Sequence, residues 1–253
     1  CQDVDIVIHA AAMKHVPICE YNPDEAKKTN FYGTKNIINA SIKNKVKKLL
    51  FISTDKVVNP SSLMGKTKLH AEKLILNSNK EKKNKHTKLS IIRFGNIIGS
   101  RGSVLLKFLD QIKNNENLTV TSKEMTRFFI TINYAVKQII NCIKIMSGSE
   151  IFIIKNMNAI KIYDLALALK KYYKFNKKIT IDGLREGEKI YEELLRKNEI
   201  KNSHIIKNFI ITEYSKVYKK NNINDSMINS NSANILNQRQ IIKFLLLSKL
   251  VSK

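Results

Sequence analysis

The residues best suited to chemistry in this chain are Ser53, Thr54, Asp55 and Lys56, followed twelve positions later by Lys68. Hydroxyl, carboxyl and amine side by side are the parts of an acid–base site. The apolar run Lys48-Leu-Leu-Phe-Ile52 that leads into them reads as a buried β-strand. The polar cluster therefore sits at a strand's carboxyl end, where open α/β sheets place their ligands and chemistry.

The elements that must position this cluster are legible from apolar patterning. Asp5-Ile-Val-Ile-His-Ala10 reads as a buried parallel strand, and Leu89-Ser-Ile-Ile-Arg-Phe94 as another. Between them the spacing predicts helices over 24–44 and 64–77. Strand–helix–strand–helix–strand order implies a parallel sheet with crossover helices. After Gly99-Ser-Arg-Gly102 the elements shorten: helices over 104–113, 133–146, 162–173 and 188–195, and strands over 118–121, 151–154 and 179–181. From Asn198 the sequence turns Asn/Lys/Ser-rich and less decisive, closing with a helix from Asn237 to Val251.

Gly-x-x-Gly-x-x-Gly, the turn on which a dinucleotide pyrophosphate rests, is absent. The first strand reads as the fourth of a doubly wound sheet, so the chain is expected to lack about 80 residues, roughly three strand–helix units. The expected fold is an α/β, Rossmann-like doubly wound parallel sheet, truncated at its N-terminus, with a smaller interleaved substrate lobe. Residues 1–100 would be the remainder of the dinucleotide-binding domain, with 129–157 returning to it. Residues 101–128 and 158–200 would form the lobe, and 201–253 a C-terminal extension.

Composition narrows the partners. The chain has 253 residues and a net charge of +24. The excess is lysine spread along the chain, whereas arginine, the usual fork for phosphate and bases, is confined to Arg93, Arg101, Arg127, Arg185, Arg196 and Arg239. This points away from a nucleic-acid partner. No apolar run is long enough for a membrane span. Cys1, Cys19 and Cys142 are odd in number and far apart, which fits a reducing, cytoplasmic compartment. His70, His86 and His204 show no metal spacing.

A series of motifs in fixed order completes the reading: His9-Ala-Ala-Ala-Met-Lys-His-Val-Pro17, Glu20-Tyr-Asn-Pro23, Lys28-Thr-Asn30, Gly33-Thr34, Ser53-Thr-Asp-Lys56, Met64-Gly-x-x-Lys68, Arg93-Phe-Gly-Asn96, Gly99-Ser-Arg-Gly-Ser-Val104, Met125-Thr-Arg-Phe128 and Leu184-Arg-Glu-Gly-Glu-Lys189. Over about residues 3 to 195 this resembles the extended short-chain dehydrogenase/reductase superfamily. More narrowly it resembles the nucleotide-sugar 4,6-dehydratases of polysaccharide biosynthesis, in particular the C5-inverting UDP-N-acetylglucosamine 4,6-dehydratases of capsule type.

The resemblance implies a lyase that uses NADP or NAD on a UDP-sugar: oxidation at C4, loss of the C5 proton and of water from C6, and hydride return to C6. It implies Lys56 as the base at C5, kept partly neutral by Lys68, the oxidised nicotinamide and burial, and Asp55 as the acid at the C6 oxygen. Thr54 would bond the C4 oxygen, and Lys68 the nicotinamide ribose. His9, Ala10, Ala11, Asn30, Ser53 and Arg93 would join Lys68 around the cofactor. Lys14, His15, Asn96, Arg101, Ser103, Arg127, Arg185 and Glu188 would hold the substrate. Met64 stands where most of the superfamily has a tyrosinate base, and a thioether takes no proton. Lys56, Asp55 or an ordered water serves at C4, or the chain is catalytically impaired. A homo-oligomer is expected. The alternatives are a UDP-sugar 4-epimerase or an inactive fragment.

Overall fold

The computed structural model describes residues 1–213 and 222–251. In chain order the elements are β1 (Ile6–His9), α1 (Val16–Tyr21), α2 (Pro23–Lys27), a π-helical turn (Lys28–Tyr32), α3 (Gly33–Lys43), β2 (Lys48–Ile52), a 3-10 turn (Asp55–Val57), α4 (Leu63–Ser78), β3 (Lys88–Arg93), β4 (Asn96–Ile97), α5 (Val104–Lys113), β5 (Leu118–Val120), β6 (Thr126–Ile130), α6 (Ile132–Ile145), β7 (Glu150–Ile154), β8 (Asn158–Lys161), α7 (Ile162–Tyr172), β9 (Ile179–Ile181), α8 (Lys197–Ile200), β10 (Ser203–Ile206), β11 (Phe209–Glu213), α9 (Asp225–Ile228) and α10 (Gln238–Leu247).

The chain divides into two compact units. The first comprises Cys1–Phe94, Val136–Lys155 and Glu193–Asn224, the second Gly95–Ala135, Asn156–Glu192 and Asp225–Lys253. In the first unit the sheet runs β1-β2-β3-β7-β11-β10. Its first four strands are parallel, and β11 and β10 extend it antiparallel. This is the expected Rossmann-like α/β architecture. Leu49, Leu50 and Phe51 of β2, Leu89, Ile91 and Ile92 of β3, and Ile151 to Ile154 of β7 are wholly or almost wholly buried, the continuous apolar signature of strands covered on both faces.

Three expectations change. β1 is not a buried strand: it is the sheet's edge among the described residues, and Ile6 and Ile8 are 45% and 47% exposed. The helix expected over 24–44 does form, as α2, the π turn and α3 in one uninterrupted helical path, with Asn30 buried in the π turn. No helix forms over 188–195. Its backbone groups are taken by distant partners instead: Ile190 O accepts from Thr126 N–H, Glu192 N–H donates to Ser230 Oγ, and Leu194 O accepts from Arg93. The separate extension over 201–253 divides between the units, the first taking the β10–β11 hairpin and the second α9 and α10. Residues 214–221 and 252–253 of it lie outside the described residues.

The second unit holds the sheets β4-β6-β8 and β5-β9. Its core gathers Leu105 and Phe108 of α5, Phe129 of β6, Leu165 and Leu169 of α7, and Ile241 and Leu245 of α10. A capping box starts α10: Asn237 Oδ1 accepts from Gln240 N–H, and Gln240 Oε1 from Asn237 N–H. Among the described residues no helix is long and apolar enough to cross a membrane.

Candidate active site

β2 delivers the polar cluster Ser53, Thr54, Asp55 and Lys56 to its carboxyl end. Ser53 N–H donates to Ile92 O at 2.8 Å and Asp55 N–H to Phe94 O at 3.3 Å, the last ties to the neighbouring strand. Thr54 then caps the 3-10 turn: its Oγ1 accepts from Lys56 N–H at 3.4 Å and donates to Asp55 Oδ1 at 2.8 Å. Lys56 Nζ donates to the same Oδ1 at 2.9 Å. Asp55 is fully buried. Its second oxygen, Oδ2, has no hydrogen-bond partner, and neither has the buried hydroxyl of Ser53. A buried polar atom left without a partner costs about 1–3 kcal/mol, so a ligand that supplies bonds to these two atoms gains by doing so.

The turn is pinned from α4. A Cβ on Gly65 would lie 2.4 Å from Lys56 O and 3.1 Å from Pro60 Cβ. Glycine therefore lets the helix close onto the backbone at Lys56. Ser62 Oγ, accepting from Gly65 N–H at 3.2 Å, and Glu20 Oε1, accepting from Leu63 N–H at 2.7 Å, start α4 at that point.

Lys68 lies on the inner side of α4. Its Nζ donates to Ile52 O at 2.6 Å and stands 3.8 Å from the centroid of the Phe51 ring. Burial pushes its pKa down to about 7, and Glu72 opposes that shift. His9 Nε2 lies 2.9 Å from Thr34 Oγ1, which donates its proton to Asn30 O at 2.7 Å. The hydroxyl proton is thus committed, and the network assigns His9 the Nε2–H tautomer. Burial first, and the charge of Lys68 second, push His9 down to about 4. It is neutral at pH 7. Lys14 is pushed down by burial and then by Lys56, which places it within electrostatic reach of the Asp55–Lys56 pair.

Other residues expected at the ligand are committed elsewhere. Asn30 Oδ1 accepts from Met13 N–H at 2.8 Å, while Nδ2 donates to Met13 O and to Thr67 Oγ1, each at 3.0 Å. With both amide protons engaged, Asn30 clamps the loop after β1 to α4 and has none to offer a cofactor. Arg93 is the clearest case. Its five N–H groups donate to Glu72, Glu199 and Leu194 O, so it braces the scaffold and has no N–H left to offer a cofactor. Met64 packs with Cys19, Ala26 and Met13. Ala10 and Ala11 are exposed, and His15 is half-buried ahead of α1 with no side-chain bond to the helix start.

In the second unit Asn96 sits in β4, half-buried and in register with Phe129. Arg101 is exposed, and Ser103 stands at the N-cap of α5 with its hydroxyl buried and unbonded. Arg127 is nearly buried and donates to the carbonyls of Thr126, Lys189 and Ile190. It ties the 185–192 loop to β6 and is not poised as a free fork. Arg185 and Glu188 close that loop's turn: Glu188 Oε2 accepts from Arg185 N–H at 3.1 Å, and Glu188 N–H donates to Arg185 O at 3.1 Å.

Residues 1–214 match the family described as "Polysaccharide biosynthesis protein". The chain belongs to this family. A member of known activity, the inverting UDP-N-acetylglucosamine 4,6-dehydratase of Campylobacter jejuni, is 44% identical over 82% of this chain and 60% of its own length. An uncharacterised membrane protein of Methanocaldococcus jannaschii is 44% identical over 96% of this chain and 75% of its own. A UDP-glucose 4-epimerase of Rickettsia canadensis is 40% identical over 78% and 58%. The crystal structure of Pen from Bacillus thuringiensis superposes with a TM-score of 0.90 at 38% identity, covering 99% of this chain and 77% of that one. The chain thus spans about three fifths of the named enzymes it resembles.

Within this family member, sequence reasoning missed several residues around the site. Glu72 and Glu199 fix Arg93, and Thr34 fixes His9. Lys107, half-buried on α5, is pushed down by burial and then by Arg185, against Asp182 and Glu188. The Lys68–Glu72 spacing of four on one helix was the readable signal. Glu199, far along the chain from Arg93, gave none.

Proposed function

We propose that this protein is a nucleotide-sugar 4,6-dehydratase acting on UDP-N-acetylglucosamine, with inversion at C5, in surface-polysaccharide biosynthesis. The observation that carries the reading is the Asp55–Lys56 contact: a fully buried carboxyl holding the lysine amine at 2.9 Å through one oxygen, with its other oxygen unbonded. As drawn the contact is an ion pair. Shifting one proton along the Nζ–H···Oδ1 bond turns it into a neutral carboxylic acid beside a neutral amine, without changing the pair's total charge. Elimination requires that neutral form.

A bound nicotinamide cofactor, NADP or NAD, would supply the reversible withdrawal and return of hydride on the sugar. The orphan Ser53 hydroxyl and the Lys68 amine at the end of β2 fit such a group, since they offer a polar donor and a cation beside a buried aromatic face. With C4 at the ketone level the C5 proton is acidic. Lys56 removes it. Asp55 protonates the departing C6 oxygen, water leaves, and an enone results. Thr54 O–H donates its hydrogen bond to Asp55 Oδ1, so it orients the acid and meets the sugar only as an acceptor.

Relatives named UDP-glucose 4-epimerase support a second reading, in which hydride returns to C4. Incubation with UDP-N-acetylglucosamine and NMR of the product separates the two. A 4-keto-6-deoxy sugar is expected. A C4 epimer that keeps its C6 hydroxyl would replace the dehydratase reading with the epimerase one.

A further inference from the structure

The turn that carries Asp55 and Lys56 is gripped from three sides within the first unit. From β3, Phe94 O accepts from Asp55 N–H. From α4, Gly65 closes on Lys56 O. The third grip comes from the segment 193–196, 134 and 139 positions further along the chain: Glu193 Oε2 accepts from Asn59 Nδ2 at 2.9 Å, and Arg196 Nη2 donates to Val57 O at 3.2 Å.

These two bonds take hold where the turn has least support of its own. Val57 is the last residue of the 3-10 turn, the place where helical carbonyls run out of partners. Asn59, two residues on, has a φ of +45°, a left-handed conformation that asparagine adopts more readily than most residues. The strap is itself anchored. Arg196 N–H donates to Glu199 Oε2 at 2.8 Å, and Glu199 N–H to Arg196 O at 2.9 Å, at the start of α8. Glu199 and Leu194 O both accept from the fully buried Arg93 of β3. Arg196 therefore reaches Val57 from a backbone tied to the same sheet that carries the turn, and a cationic donor bonds a carbonyl more strongly than a neutral one.

We propose that Glu193 and Arg196 form a positioning strap for the active-site turn: bound to Asn59 and to Val57 O, they fix the backbone that aims Lys56, and neither touches the substrate. A misplacement of about 1 Å at a reacting group can cost about a hundredfold in rate, so the strap acts on turnover and not on substrate binding. That the turn removes a C5 proton rests on the dehydratase reading. That the strap holds the turn does not.

The test is Arg196→Met, which keeps the aliphatic stem and removes the donors, with Arg196→Lys as the conservative variant. Amide hydrogen exchange of the full chain, followed by NMR, reads the strap without substrate. Val58 N–H, which donates to Asp55 O at 3.0 Å, is expected to exchange about tenfold faster or more in Arg196→Met, while Phe152 N–H of β7 keeps its rate. Arg196→Lys restores part of the protection. Unchanged exchange at Val58 overturns the proposal, and so does an equal acceleration at Phe152, which would make Arg196 a general stabiliser. With UDP-N-acetylglucosamine, at a temperature where the variants are folded, kcat of Arg196→Met is expected to fall about tenfold or more with KM held within about twofold. An unchanged kcat, or a rise in KM with kcat kept, overturns the proposal. Should Arg196→Met not fold, Glu193→Ala decides: faster exchange at Val58 alone supports the strap, and no change overturns it. An unaltered protein that does not turn over UDP-N-acetylglucosamine sinks the functional reading and leaves the exchange result to decide the strap.

Discussion

Two buried charges on neighbouring strands of the first unit, Arg93 of β3 and Asp55 at the end of β2, are equally hidden from water but differ in one respect. Arg93 has a partner for every N–H. Asp55 uses one oxygen twice and leaves the other bare, beside a serine hydroxyl that is also bare. Family resemblance places both at the ligand, but their hydrogen bonding separates them. Burial of charge does not mark chemistry. Unmet hydrogen-bond capacity next to reactive groups is the better guide, because a ligand can gain by meeting it; on its own it is not decisive, since Ser41 Oγ and Gln138 Oε1 in the scaffold helices are also unmet.

The sharpest way to break this contrast is Arg93→Met, which strands two buried carboxylates. Urea unfolding is expected to show a loss of about 3–5 kcal/mol. A fold of normal stability with lost cofactor binding would instead return Arg93 to the ligand. Next is Gly65→Ala, whose methyl must displace the Lys56 carbonyl it would meet at 2.4 Å. Overpacking of this kind costs about 1–3 kcal/mol. Activity should fall further than stability, since the displaced residue is the proposed base. A fully active, fully stable Gly65→Ala would mean the turn is not pinned as described.

The smallest effect concerns His9, which is buried like Arg93 but uncharged. Its folded pKa of about 4 lies below the ordinary 6.5. Between those values the unfolded chain binds the extra proton, so stability is lost as pH falls through that window. His9→Gln should remove about one proton from the pH dependence of unfolding over this range. An unchanged slope would show that His9 is charged in the folded protein.

The central strands and most helices were legible because they are local: apolar runs and helical spacing. The clustering of Thr54, Asp55 and Lys56 was legible too, because the three are consecutive in the chain. What was not legible is non-local. The β10–β11 hairpin lies in a stretch rich in Asn and Lys, with its apolar residues supported by β7. The helix expected over 188–195 loses to tertiary bonds from Arg93, Thr126 and Ser230. Asn30 and Arg93 carry motif signals, but their saturating partners lie 17 to 106 positions away, and no spacing rule reaches that far.

The central claim is that Lys56, paired with Asp55, removes the proton from C5. Incubation of the protein with UDP-N-acetylglucosamine in deuterium oxide, followed by NMR at C5, tests it most directly. Solvent deuterium is expected at C5 with the unaltered protein and absent with Lys56→Ala. Normal deuterium uptake by Lys56→Ala would contradict the account.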